Sequence, residues 1–142
     1  MSGTKITVVA SIDLTPEKVW PLWTRPEHII KWNYASDDWC TTRAENDLRV
    51  GGRFVSRMES KDGTMGFDFS GTYINVILNN RLEYKLDDGR KVEVFFEKSG
   101  ESTIITEIFD AENTNPVELQ QASWQAILNQ FKKYAGEYYR NR

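Results

Sequence analysis

The stretch that opens at Asn115 constrains this chain more than any other. Asn115-Pro116-Val117-Glu118 sets in a row a capping residue, a proline suited to the first helical position and an acid at the capping-box position. Val117, Trp124, Ile127, Leu128, Phe131, Ala135 and Tyr138 then recur at helical steps, while Gln121, Gln125, Asn129 and Lys132 fall largely on the other side. The pattern predicts one amphipathic helix over 116–138, ~35 Å long. A helix of that length needs an apolar surface to cover its stripe, and the rest of the chain must supply it.

What precedes it reads as a run of short strands, at about 53–60, 66–78, 81–86, 91–98 and 102–110. Asp62-Gly63, Asn79-Asn80, Asp88-Gly89 and Ser99-Gly100 lie between them, residues that accept the left-handed turns of hairpins. Strands joined so tightly pair antiparallel. A first strand spans 4–12, with Ile6, Val8, Ala10 and Ile12 alternating against Lys5, Thr7 and Ser11. Thr15-Pro16-Glu17 and Arg25-Pro26-Glu27 open two short helices, the first carrying Val19, Trp20 and Trp23 and shortened by Pro21, the second carrying Ile29, Ile30 and Trp32. The polar connection 33–49 holds one further strand near 41–45. Gly51-Gly52 precedes a strand rather than a helix, so it reads as a turn or bulge and not as a phosphate cradle.

That order predicts an α+β helix-grip fold, a curved antiparallel sheet wrapped around a long C-terminal helix with two short helices after the first strand. No repeat, low-complexity run or linker divides the sequence, so residues 1–142 are expected to form one domain. A sheet of many strands curls, and a curled sheet need not touch the helix along its whole length. A hollow is the expected result.

Net charge is −3 with both signs interspersed, and the absence of a basic stripe argues against nucleic acid. No run approaches the ~20 apolar residues of a membrane span. Met1-Ser2-Gly3-Thr4-Lys5 has no basic segment followed by an apolar one, so a cytoplasmic protein is expected. The lone Cys40 fits a reducing compartment and reads as a packing residue. The only histidine, His28, reads as a surface residue. Far from Cys40 in sequence, it makes neither a nucleophilic triad nor a zinc site. No cofactor signature is present.

Asp68, in Phe67-Asp68-Phe69-Ser70, is the carboxylate with most chemical interest. Ile74 and Val76 share its parity in the strand, so alternation alone leaves open whether it faces the hollow, and solvent is the expected side. Tyr73 and Tyr84 can orient a ligand or fill the core equally well. Trp20 and Trp23 are assigned to packing of the first short helix.

Taken in order, several motifs resemble one family across nearly the whole chain. They are Thr15-Pro16-Glu17-Lys18-Val19-Trp20, Arg25-Pro26-Glu27-His28 with Trp32, Gly51-Gly52-Arg53-Phe54, Gly71-Thr72-Tyr73, Arg81-Leu82, and Trp124 with Leu128. The sequence resembles the START-like (SRPBCC) superfamily, in the branch related to the activator of the heat-shock-protein-ninety ATPase. Two positions depart from that pattern: Ser123 stands where the family often has glycine, and Asn79-Asn80 where a proline often precedes the Arg-Leu pair.

The resemblance implies a cavity between sheet and helix, used across the superfamily for lipids, polyketides, flavonoids and other apolar molecules, with Trp32 and Trp124 beside it. The leading expectation is non-catalytic binding of a small apolar ligand. Trp32, Phe54, Phe67, Phe69, Phe96, Trp124, Leu128 and Phe131 are its candidate apolar lining, and Asp68, Tyr73 or Tyr84 would fix a polar group. A polyketide aromatase/cyclase-type enzyme is the alternative, and it requires a buried carboxylate or tyrosine with a shifted pKa in the hollow. A cochaperone-like interaction protein is the third expectation. It would present an exposed apolar patch.

Overall fold

The period-two alternation of the strands decides the architecture. In the computed structural model, which describes residues 4–140, apolar side chains line the face of the sheet that meets the helices. Met1, Ser2 and Gly3, on which the expectation about a leader rests, lie outside the described residues. The strands are β1 (Lys5–Ile12), β2 (Trp39–Asn46), β3 (Arg53–Ser60), β4 (Gly66–Ile77), β5 (Arg81–Leu86), β6 (Lys91–Ser99) and β7 (Ser102–Asp110). They form a seven-stranded antiparallel sheet in the order β1-β7-β6-β5-β4-β3-β2. Helices α1 (Pro16–Thr24) and α2 (Pro26–Ile29) carry the chain from β1 on one edge to β2 on the other, and α3 (Val117–Arg140) fills the concave side. This is the helix-grip arrangement expected from the sequence.

The four short connections turn through left-handed residues, Gly63, Asn79, Gly89 and Gly100. Pro21 lies inside α1 without ending it. Arg25 N–H still bonds the Pro21 carbonyl at 3.0 Å, and Val19, Trp20 and Leu22 anchor the helix by burial. The core joins Ile6, Val8 and Ile12 of β1 to Val92, Val94 and Phe96 of β6, Ile105 and Phe109 of β7, and Leu128, Phe131 and Ala135 of α3.

Two details of α3 differ from the sequence reading. Asn115 does not cap the helix: the first helical N–H groups, of Leu119 and Gln120, bond the carbonyl of Pro116, one residue further on, and the Asn115 amide donates to the Glu112 carboxylate instead. Buried Gln120 ties that corner instead, accepting from Glu112 N–H at 2.9 Å and donating to the Asn115 carbonyl at 2.8 Å. Gln121 and Gln125, placed on the solvent side by helical spacing, donate to the carbonyls of Thr7 and Val9. These bonds occupy outward carbonyls of β1, an edge strand that would otherwise offer a free ladder.

Two bulges interrupt the register, between Thr41 and Arg43 in β2 and between Tyr73 and Asn75 in β4. The second settles the ambiguity at Asp68. Before it, Phe69, Gly71 and Tyr73 face inward. After it, the inward residue is Val76, paired with buried Leu82. An extra residue reverses the parity of everything beyond it, so Val76 and Asp68 face opposite sides despite their even spacing.

Candidate functional site

A cavity of about 100 Å³ lies between the sheet and α3, open to solvent on one side. Its floor comes from alternating residues of neighbouring strands. Phe54 of β3, Tyr73 of β4, and Leu82 and Tyr84 of β5 stand side by side, and Glu107 of β7 completes it. Trp124 and Ile127 of α3 form the roof, with Trp23, Ile29 and Trp32 closing the α1–α2 side. Gly71 shapes the floor by its lack of a side chain. An added Cβ there would stand 2.5 Å from the Lys85 carbonyl oxygen and 3.0 Å from the Phe54 ring, so the ring lies over the bare backbone.

The aromatic walls brace one another. Trp124 stacks on Phe109 with centroids 3.8 Å apart, and the Phe54 ring meets Tyr84 edge-on at 4.8 Å and Tyr73 at 5.4 Å. Trp32 is fixed through its indole N–H, which donates to the Leu22 carbonyl at 3.0 Å. Tyr73 donates its hydroxyl to Asn46 Oδ1 at 2.7 Å, and Asn46 in turn donates to the Thr24 carbonyl at 2.6 Å. That chain ties β4 to β2 and to the end of α1.

Glu107 sits at the centre of this arrangement. It is 5 % exposed, flanked on its own strand by inward Ile105 and Phe109 and across the ladders by Val8 and Val94. Its carboxyl has no hydrogen-bond partner among the described residues. Burial pushes its pKa up from 4.5 to about 8, because a carboxylate without a counter-charge is costly in an apolar setting. Tyr84 is its electrostatic neighbour, likewise unbonded among the described residues. Its hydroxyl is pushed well above the ordinary range by burial, by Glu107 and by Tyr73. Burial also raises the Tyr73 hydroxyl.

The candidate residues read from the sequence divide by place. Trp32, Phe54, Phe69, Tyr73, Tyr84 and Trp124 line the cavity. Phe96, Leu128 and Phe131 are buried but sit behind the wall: Trp20 and Trp23 cover Phe96, and Phe131 packs against Trp23 and Trp32. Phe67 shares the inward parity of Phe69, yet it lies nearer the strand end, 49 % exposed, its ring 5.9 Å from Trp39. Asp68 points to the outer face, its carboxylate 3.5 Å from Arg57 Nη1.

Sequence reasoning missed Glu107. The available signal was its parity with Ile105 and Phe109, but Ile104 and Ile108 make the opposite face of β7 equally apolar. It also missed Trp23, assigned to helix packing, which both packs on Trp32 at 4.8 Å and lines the cavity. His28 is not a bare surface residue: its Nδ1 lies 2.7 Å from the Tyr134 hydroxyl, and its ring meets Tyr138 edge-on. No cluster of three or more His, Cys, Asp or Glu side chains suited to a metal occurs among the described residues. Nor does any helix long and apolar enough to cross a membrane.

Comparison with known proteins bears on the same layout. The family described as Activator of Hsp90 ATPase homolog 1-like protein matches residues 13–136, from the approach to α1 to deep within α3. The chain belongs to this family. An AHSA1-like protein from Aeromonas hydrophila is 45 % identical, with a TM-score of 0.90 over 95 % of this chain and 94 % of that one. A protein from Cytophaga hutchinsonii is 48 % identical, with a TM-score of 0.83 over 99 % and 97 % of the two chains. A protein from Nitrosomonas europaea shares the fold at 18 % identity, with a TM-score of 0.80 over 94 % and 95 %. No protein of curated function matches. Membership accounts for the helix-grip layout and is compatible with ligand binding or a cochaperone-like role, so the cavity itself must argue the chemistry.

Proposed function

We propose that this AHSA1-like chain acts as one START-like unit over residues 1–142 and binds a small, mostly apolar molecule between sheet and α3. The observation that carries this reading is the pairing of an aromatic cavity with a buried carboxyl that has no protein partner. Ligand sites combine apolar walls with a few convergent polar groups, and Glu107 and Tyr84 supply them here. A core that merely needed filling would gain by an apolar residue in place of Glu107. A volume of about 100 Å³ suits about one ring, with the remainder of a larger lipid- or polyketide-like ligand reaching the open side.

Titration of tryptophan fluorescence with a panel of planar aromatic and fatty ligands tests it, since Trp23, Trp32 and Trp124 line the cavity. The expected result is a saturable change that competing ligands displace. A flat response across a varied panel removes the reading and leaves the cochaperone-like role, tested by adding the protein to a chaperone ATPase.

Glu107 also favours a second reading, an enzyme of the polyketide-cyclase type. A carboxyl titrating near 8 is well placed to exchange a proton with a bound ligand at neutral pH. Turnover of a polyketide-like diketone that disappears in Glu107→Gln while binding persists would establish it; binding without turnover in the native protein would exclude it for that substrate.

A further inference from the structure

The cavity's electrostatics are one-sided. Two carboxyls, Glu107 and Glu45, line it, and no lysine, arginine or histidine does among the described residues. Glu45 belongs to the rim, 68 % exposed and 3.3 Å from Arg43 outside. Glu107 is the interior group. The titratable side chains that share the wall with it are Tyr73 and Tyr84, while β1 and β6 present Val8 and Val94 and α3 presents Trp124 and Ile127. An anionic ligand would find no counter-charge there. A neutral apolar ligand would exclude solvent from the carboxyl and leave it unbonded. A cation changes the balance twice. It satisfies the carboxylate through a charge-assisted hydrogen bond, and it gains from the seven aromatic side chains around it.

We infer that the ligand is a cationic amine on a compact apolar or aromatic body, with Glu107 as its counter-ion and the surrounding rings as its cage. This rests on the binding reading above and narrows it: fatty acids and other carboxylates are excluded, and protonated bases are selected. Tyr84, beside Glu107, is the second polar contact for the ammonium or for a hydroxyl next to it. Burial raises the Glu107 carboxyl to about 8, so without a bound cation it carries its proton at neutral pH. Binding an ammonium ion makes it a carboxylate, so its proton leaves to solvent.

The test compares benzylamine, benzyl alcohol, acetophenone and benzoate, one-ring molecules that differ mainly in the polar group, at pH 7. Tryptophan emission reads affinity, and calorimetry in buffers of different ionisation enthalpy reads protons. Benzylamine is expected to bind at least ten-fold more tightly than the alcohol or the ketone, with no saturation by benzoate. On the order of one proton should be released per benzylamine bound and none per alcohol. Glu107→Gln should reduce benzylamine to the level of benzyl alcohol and abolish the proton release. A cooperative urea transition in that variant shows that it is still folded, and the proton count on the native protein decides the matter if the variant does not fold.

The inference is overturned if the alcohol, the ketone or benzoate matches benzylamine, or if the amine's advantage survives in Glu107→Gln. It is also overturned if other panel ligands saturate and benzylamine does not, and in each of these cases cavity binding stands. Silence from all four compounds and from the wider panel overturns both readings.

Discussion

The indole of Trp124 lies nearly flat on the ring of Phe109, with centroids 3.8 Å apart and planes inclined by 14°. One ring belongs to α3 and the other to β7, two residues from Glu107, so the stack pins the helix beside the buried carboxyl. Phe109 is 1 % exposed and on the inward face of its strand. Phe109→Ala is expected to destabilise the protein by about 3–5 kcal/mol, as truncation of a buried ring does. Trp124→Ala, at a half-buried site, should cost less, about 2–3 kcal/mol. Urea unfolding of both variants checks the order.

The pH dependence of stability should carry the signature of Glu107. Its carboxyl stays protonated in the folded protein up to about pH 8, whereas the unfolded chain releases the proton near 4.5. Between those values the native state holds more protons than the unfolded one, so stability falls as pH rises. The loss begins near pH 5 and is complete above pH 8, reaching on the order of 4 kcal/mol. Asp62 and Asp87, each held at about 2 by its hydrogen bonds, titrate well below this window. Urea unfolding from pH 5 to 9 should therefore slope downward for the native protein and run much flatter for Glu107→Gln. A native profile as flat as the variant's would contradict the assignment.

Gly71 holds the floor open by omission. Gly71→Ala sets a methyl group 2.5 Å from the Lys85 carbonyl oxygen and 3.0 Å from Phe54, and backbone cannot yield as a side-chain tip can. A loss of about 1–3 kcal/mol is expected. Phe54 should also be pushed into the cavity, so the variant should lose ligand-induced fluorescence change more severely than its stability loss accounts for.

Asn46 bridges the Tyr73 hydroxyl and the Thr24 carbonyl. Asn46→Ala leaves the hydroxyl of a buried tyrosine without its partner, which costs about 1–3 kcal/mol. Tyr73→Phe in the same background removes the stranded hydroxyl and should recover part of that loss. Thermal or urea unfolding of the single and double variants measures the coupling.

Much of the fold was legible because it rests on local spacing. Hairpin residues such as Asp88-Gly89 and Ser99-Gly100 turn the chain through glycines at positive φ whatever surrounds them, so β5, β6 and β7 fall where the turns put them. The α3 stripe was legible for the same reason, although the expected Asn115 cap does not form, since the helix begins one residue later with Pro116 as its first acceptor. The cavity was harder. Trp32 and Trp124 were found from family resemblance. Phe96 and Phe131, chemically alike, are packed behind the wall because Trp20 and Trp23 cover one while Trp23 and Trp32 flank the other.

The sequence by itself determined the number, order and handedness of the turns, the length of α3 and the family layout, all properties that a few consecutive residues encode. Only the tertiary structure decided that a bulge in β4 turns Val76 inward while Asp68 faces solvent. It alone placed Glu107 without a partner among rings drawn from both ends of the chain. The physical reason is that burial and charge are set by neighbours in space. The groups around Glu107 come from β1, β5, β6 and α3, so no spacing within β7 reveals what that carboxyl meets.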